Sequence, residues 1–199
     1  MSSISPDNLS DLAARIRVGD ELAFRQLFDA LYGPLRRRAL AFVRDEAVAE
    51  DVVQEAFVRL WDWRTRLETE TPLRAWLFRT VRNLAFNLRR DATTRQQLLT
   101  DPVALASAAA PRPAPSPDAG VSGGDLAEQV SALIEELPPR QREALLLTRV
   151  DGLSHAEVSE VMGCAARTVN NHLVAALATL RRRMAEAGTL AAALIWWMP

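Results

Sequence analysis

The chain has 199 residues, a length that suits one ordinary domain or two small ones. With 49% hydrophobic and 25% charged residues it has the make-up of a folding globular protein, which excludes wholesale disorder and collagen-like repeats. The formal net charge of -1 excludes a uniformly basic nucleic-acid binder, so any contact with DNA must come from local patches.

Every one of the 24 cationic residues is Arg, the cation suited to bidentate contact with phosphate, carboxylate or guanine. Residues 1–100 hold 16 Arg against 14 Asp and Glu, and residues 125–199 hold 7 against 9, so the positive balance lies in the first half. The single Cys164 and the two His, His155 and His172, exclude a disulfide framework and are too few for a Cys/His zinc site. We therefore expect a cytoplasmic protein without a metal or other cofactor. Met1–Asp20 lacks the apolar core of a signal peptide. The longest apolar run, Leu190–Met198, falls well short of the about 20 residues that span a bilayer.

In chain order, Leu9–Arg17 reads as a helix, ended by Gly19-Asp20. Leu22–Phe42 follows with Phe24, Leu27, Phe28, Leu31 and Leu35 at helical spacing, and Pro34 is expected to bend or divide it. A third helix spans about Val48–Trp61: Val53, Phe57 and Leu60 make an inward stripe, with Asp51, Gln54, Glu55 and Asp62 opposite. After the polar loop Arg64–Thr71, Pro72 opens a fourth helix at its favoured first turn. Its expected buried face is Leu73, Trp76, Leu77, Val81, Leu84 and Leu88, which leaves Arg74, Phe78, Arg79, Arg82, Phe86, Asn87, Arg89 and Arg90 outside.

From Asp91 to Gly124 the periodicity fails, and Pro111, Pro113, Pro115 and Pro117 favour extended chain, the mark of an interdomain linker. Helices resume at Leu126–Leu137 and Pro139–Val150. Ser154 to Glu157 is a capping-box signature, and Gly163 suits the left-handed turn that ends the short helix. A last helix starts near Arg167 with a stripe of Val169, Leu173, Leu177, Leu180 and Met184. The expected fold is all-α, two small helical domains joined by a flexible Pro/Ala-rich linker, with boundaries at 1–97, 98–124, 125–186 and an apolar tail at 187–199.

The pair Ser154–Met162 and Arg167–Met184 has the lengths and turn of a helix-turn-helix. Its second helix presents Arg167, Asn170, Asn171 and Val174, which suit guanine or phosphate, adenine and a thymine methyl, respectively. Arg181-Arg182-Arg183 adds positive charge nearby. Between Arg74 and Arg95 there are six Arg and one acid, Asp91, with Phe78 and Phe86 interleaved, a combination that binds unpaired bases through phosphate contact and ring stacking; the alternative, favoured for any single Phe, is that both pack on neighbouring helices. The acidic stripe of the third helix would repel DNA and suits a protein partner presenting Arg or Lys. A Gly-rich phosphate loop and a His/Asp/Ser constellation are both absent from the sequence, so an enzyme is not expected. Trp196-Trp197 suits packing or a partner.

Together these segments resemble an extracytoplasmic-function sigma factor of bacterial RNA polymerase, over roughly residues 9–95 and 125–184. Ala49–Trp61 (AEDVVQEAFVRLW) resembles the family's segment that binds the clamp helices of the polymerase's largest subunit. The resemblance implies polymerase contacts at Asp51, Gln54, Glu55, Arg59 and Asp62. Pro72–Arg90 (PLRAWLFRTVRNLAFNLRR) resembles the helix that recognises and melts the minus-ten element. There the implied DNA contacts are Arg66, Thr71, Arg74, Phe78, Arg79, Arg82, Asn83, Phe86, Asn87 and Arg90, with Arg66–Thr71 cradling a flipped base. Leu137–Met184 resembles the domain that reads the minus-thirty-five element, implying contacts at Ser154, Arg167, Thr168, Asn170, Asn171, His172, Val174 and Arg181. Relatives often carry Asp near Asn87, and Arg and Ser at Asn170 and Asn171, so the promoter sequence does not transfer from them. The implied partners are core RNA polymerase, promoter DNA and an anti-sigma factor, with no small-molecule substrate. The residues by themselves also fit a stand-alone helix-turn-helix regulator of duplex DNA, or a module that binds polymerase without reading promoters.

Overall fold

Asp20 shows how local chemistry sets the first corner of the computed structural model, which describes residues 6–68, 71–99 and 123–186. Helix α1 (Pro6–Arg17) ends where Gly19 takes φ +88°, a conformation that glycine adopts without side-chain strain. Asp20 then caps α2 (Glu21–Val43): its Oδ1 accepts the N–H groups of Leu22 and Ala23 at 2.9 and 3.1 Å. Pro34 lies inside α2 and neither divides nor ends it, because Leu31 and Leu35 on either side are buried and hold the helix against its neighbours. At the far end Arg44 takes a left-handed conformation (φ 60°) and donates its N–H to the Leu40 carbonyl.

Asp45 follows at once as the cap of α3 (Glu46–Trp63), accepting the Val48 N–H at 3.0 Å. This cap starts the helix two residues before the sequence pattern does. Such a short connection makes α2 and α3 antiparallel neighbours, and Arg36 of α2 joins them through Glu46 (3.2 Å) and Glu50 (2.9 Å). The α3 side chains turned inward are Ala49, Val52, Val53, Ala56, Phe57 and Leu60, which contain the expected stripe.

A single 3-10 turn (Arg64–Arg66) and buried Leu67 lead to α4 (Leu73–Leu99). The Pro72 carbonyl accepts the Trp76 N–H, so proline opens α4 as its fixed φ favours. The helix runs on past Asp91, where sequence periodicity was expected to fail. Helices α1 to α4 lie in one unit, and α5, α6, α8 and the first half of α7 in a second.

The buried face of α4 differs from the expected one. Among the residues of α4 whose burial is described, Leu73, Ala75, Leu77, Phe78, Val81 and Ala85 are buried, Trp76 and Leu84 are half-buried, and Leu88 is 45% exposed. The inward arc is therefore turned toward Phe78 and Ala85. Leu88 lies beyond the level at which Phe86 meets Phe42 in the last turn of α2, and nothing of α2 continues alongside it.

In the second unit, α5 (Gly123–Glu135) and α6 (Pro139–Arg149) are joined at buried Leu137. Arg142 closes that corner by donating to the carbonyls of Glu135 and, at 3.1 Å, Leu137. Helix α7 (His155–Met162) opens with the expected capping box: Ser154 N–H donates to Glu157 Oε2 at 2.8 Å, and Glu157 N–H to Ser154 Oγ at 3.2 Å. It ends at Gly163 (φ +63°), with the Cys164 N–H bonded to the Ser159 carbonyl in a Schellman turn. Helix α8 (Ala166–Glu186) buries Val169, Leu173, Ala176, Leu180 and Met184, so Ala176 takes the inward place expected of half-buried Leu177. Among the described residues there is no strand, and no helix is long and apolar enough to cross a membrane. The Pro-rich stretch and the Leu190–Pro199 tail lie outside the described residues, apart from α5's start at Gly123.

Candidate functional site

Most of the expected site residues lie on three helices, α3, α4 and α8. On α3, Asp51, Gln54, Glu55, Arg59 and Asp62 are all exposed, as a partner-binding stripe requires. The stripe is less acidic than its sequence suggests, because Arg59 Nε lies 2.7 Å from Glu55 Oε1 one turn away. Beside it runs an open groove of about 550 Å³ that the sequence pattern did not reveal, lined by Glu21, Phe24, Phe28, Gln54, Phe57, Val58 and Trp61. The ring of Phe24 lies 5.9 Å from that of Phe57 and 5.0 Å from Trp61, and Phe28 lies 4.7 Å from Phe57. This row draws alternately on α2 and α3, so it exists only once the two helices pair.

The end of α3 is braced where it passes into the loop before α4. The Arg64 guanidinium lies 4.4 Å over the Trp61 ring and donates to the Trp61 carbonyl at 2.6 Å. Trp63 stacks on Trp76, centroids 5.6 Å apart and planes within 13° of parallel. Inside the loop the Thr71 hydroxyl oxygen accepts the Glu68 N–H at 2.9 Å, so it shapes the loop from within, while Arg66 is exposed.

On α4, Arg79, Asn83, Asn87 and Arg90 are exposed at spacings of four, four and three, which puts them on one outward line. Arg82 and Phe86 form the adjacent line, and the Arg82 guanidinium lies 4.7 Å from the Phe86 ring centroid. Arg74 is half-buried at the start of the helix. Phe78 corrects the sequence expectation. It is fully buried among the largest core side chains and so belongs to the hydrophobic interior, not to a surface that stacks on bases.

On α8, Arg167, Asn170, Asn171, Val174 and Arg181 are exposed along one face, while Thr168 and His172 are half-buried at its margin. Ser154, expected among the DNA contacts, spends its hydroxyl on the cap of α7, where Oγ also donates to Glu157 Oε2 at 2.9 Å. Among the described residues no group of His, Cys, Asp or Glu is placed to hold a metal ion.

Residues 27–95 match the sigma-70 region 2 model, and residues 127–180 match the sigma-70 region 4 model. The RNA polymerase sigma factor CnrH of Cupriavidus metallidurans is 31% identical over 173 residues, covering 85% of this chain and 90% of that one. The ECF RNA polymerase sigma factor SigL of Mycobacterium tuberculosis is 30% identical over 165 residues, covering 82% and 90%. The chain belongs to the extracytoplasmic-function sigma factors.

The sigma factor's fold is also that of CnrH solved in complex with the cytosolic domain of CnrY, with a TM-score of 0.63 at 26% identity over 92% of this chain and 99% of that one. A second solved relative is the sigma factor RpoE of Bartonella quintana in complex with the anti-sigma factor NepR, at TM-score 0.60 and 25% identity, covering 80% and 94%. The first unit of the sigma factor thus contains region 2, with α3 and α4 as its two exposed chemical faces. The second contains region 4, whose helix-turn-helix is α7 and α8. It is a transcription initiation factor that acts with core RNA polymerase on promoter DNA.

Proposed function

We propose that the three faces divide promoter initiation among them, and that residues 1–97, 98–124 and 125–186 are its region 2 unit, linker and region 4 unit. The α3 stripe around Asp51 and Gln54, together with the aromatic groove, docks the clamp helices of the polymerase's largest subunit. An amphipathic helix with basic flanks fits such a surface, its apolar side entering the groove and its cations meeting the carboxylates. The outward line of α4 then holds the opened minus-ten strand, and the exposed face of α8 enters the minus-thirty-five major groove.

The observation that carries this reading is the exposure of Arg79, Asn83, Asn87 and Arg90 on one line of α4, in the same unit as the acidic face of α3. One surface attracts phosphate and the other repels it, so DNA and polymerase have separate places. Melting on this scheme is driven by binding: unpairing a base costs about a few kcal/mol, which phosphate contacts and stacking offset without hydrolysis or a cofactor. A net charge of -1 keeps the free factor from being held on nonspecific DNA, with polymerase supplying the missing affinity. The factor works in the cytoplasm, as polymerase does. An anti-sigma protein, such as NepR in the RpoE complex, is a partner that would compete for these faces.

The test is transcription by bacterial core polymerase over a promoter library, with and without the purified factor. Defined starts that depend on the factor and share two upstream elements are expected. Polymerase binding without such starts, or a footprint on duplex DNA without polymerase, overturns the reading.

A further inference from the structure

An arginine that projects from a helix into solvent samples many rotamers. Arg82 is different. It is half-buried, and its guanidinium lies 4.7 Å from the centroid of the Phe86 ring one turn along the helix. Phe86 is 40% exposed, and its own ring centroid lies 5.1 Å from that of Phe42, tilted by 48°. Phe42 belongs to the last turn of α2, whose end is fixed by the left-handed Arg44 and its bond to the Leu40 carbonyl. A ladder of three side chains therefore leads from the end of α2 to the edge of the α4 face.

We infer that Phe42 is a positioning residue for promoter opening, holding the Arg82 guanidinium through Phe86 in the pose in which it meets a phosphate of the displaced strand. A ring binds a guanidinium by its face, and the N–H donors lie in the guanidinium plane, so stacking sets the plane in which they point. Holding the side chain before DNA arrives lowers the ordering cost of the contact. Phe86 thereby supports a cation. Phe42 carries no charge or polar group of its own, which is why nothing in the sequence marks it.

The inference rests on the reading of α4 as the DNA-facing helix, and the experiment separates the two. Open-complex formation by the holoenzyme is measured against salt concentration for the wild type, Phe42→Leu, Phe42→Tyr, Arg82→Ala and the Phe42→Leu/Arg82→Ala pair. Leucine keeps apolar bulk and loses the ring; tyrosine keeps the ring. Phe42→Leu should weaken opening about two- to fivefold, the worth of a partly exposed cation–ring contact. It should also flatten the log–log salt dependence by about 0.7, one single-strand phosphate. Phe42→Tyr should restore both, and Phe42→Leu should have no further effect once Arg82 is Ala. An Arg82→Ala variant with unchanged salt dependence overturns the DNA-facing assignment of Arg82. A normal salt dependence in Phe42→Leu beside a flattened one in Arg82→Ala overturns only the positioning role, as does an equal loss from Phe42→Leu with or without Arg82.

Discussion

Arg15 and Asp20 close the corner between α1 and α2, with Nε and Nη2 of the arginine each 2.9 Å from the same carboxylate oxygen, Oδ2. The other oxygen, Oδ1, caps α2. The cap hydrogen bond from Ala23 and the bond from Arg15 hold the Asp20 carboxyl below its ordinary 3.8. A carboxyl lowered on folding stabilises the fold at pH above its unfolded value and ceases to do so as pH falls through its folded value. Thermal melting should therefore show Asp20→Asn less stable than wild type at neutral pH, with the gap closing as pH falls below 3.8. A constant gap down to the acid limit would refute the linkage.

Phe78 and Phe86, eight residues apart on α4, should respond oppositely to truncation. Phe78→Ala empties a fully buried site and should cost about 3–5 kcal/mol in denaturant unfolding. Phe86→Ala, at a site 40% exposed, should cost well below that and act on promoter opening. Equal stability losses would contradict the burial of one and the exposure of the other.

Val58 forms part of the groove wall and is 53% exposed, so a charge there is tolerated by the fold. Val58→Asp should leave the melting temperature close to wild type and weaken core polymerase binding by about 2 kcal/mol, roughly 30-fold, as loss of a central apolar contact does. Asp51→Arg with Glu55→Arg should abolish binding, and Asp51→Arg alone should do most of this, because Glu55 is already paired with Arg59. Titration of labelled polymerase measures all three.

Ser154 and Asn170 offer the same contrast in the second unit. Ser154→Ala removes a cap and should lower stability by about 1 kcal/mol without changing which promoters are used. Asn170→Ala leaves the fold alone and should weaken promoter use by about 1–3 kcal/mol through the minus-thirty-five element. Competition among promoter variants separates the two; a selectivity change with Ser154→Ala would return that residue to the DNA surface.

Features governed by neighbours in the chain could be read directly from the sequence. The Ser154 to Glu157 box, the left-handed Gly163 and the Val53, Phe57 and Leu60 stripe are local in origin, and each occurs in the structure where expected. What could not be read depends on where other helices begin and stop. Leu88 fits the apolar spacing of α4 yet is exposed because α2 ends at Val43. Phe78 reads as outward until Ala85 joins the buried side and turns the arc toward it. The groove shared by Phe24, Phe28, Phe57 and Trp61 has no counterpart in any single helix, since it is made by pairing two. Among the site residues, exposed Arg79, Asn87 and Arg90 of α4 and Arg167, Asn170 and Asn171 of α8 followed from helical periodicity, and Asn83 and Arg181 from the family resemblance, whereas the prior engagement of Glu55 and Ser154 depended on side-chain geometry.

Trp61 forms part of the groove wall on one side and supports Arg64 on the other. An indole in that position emits according to the wetness of the groove, since its fluorescence moves to shorter wavelength when water leaves. On the proposed docking, a helix settling over Phe24, Phe28 and Phe57 would dry this ring, whereas Trp63 and Trp76 stack on each other outside the groove lining. Trp61 would thus serve as a built-in optical reporter of engagement at the α2 and α3 groove, readable without a label.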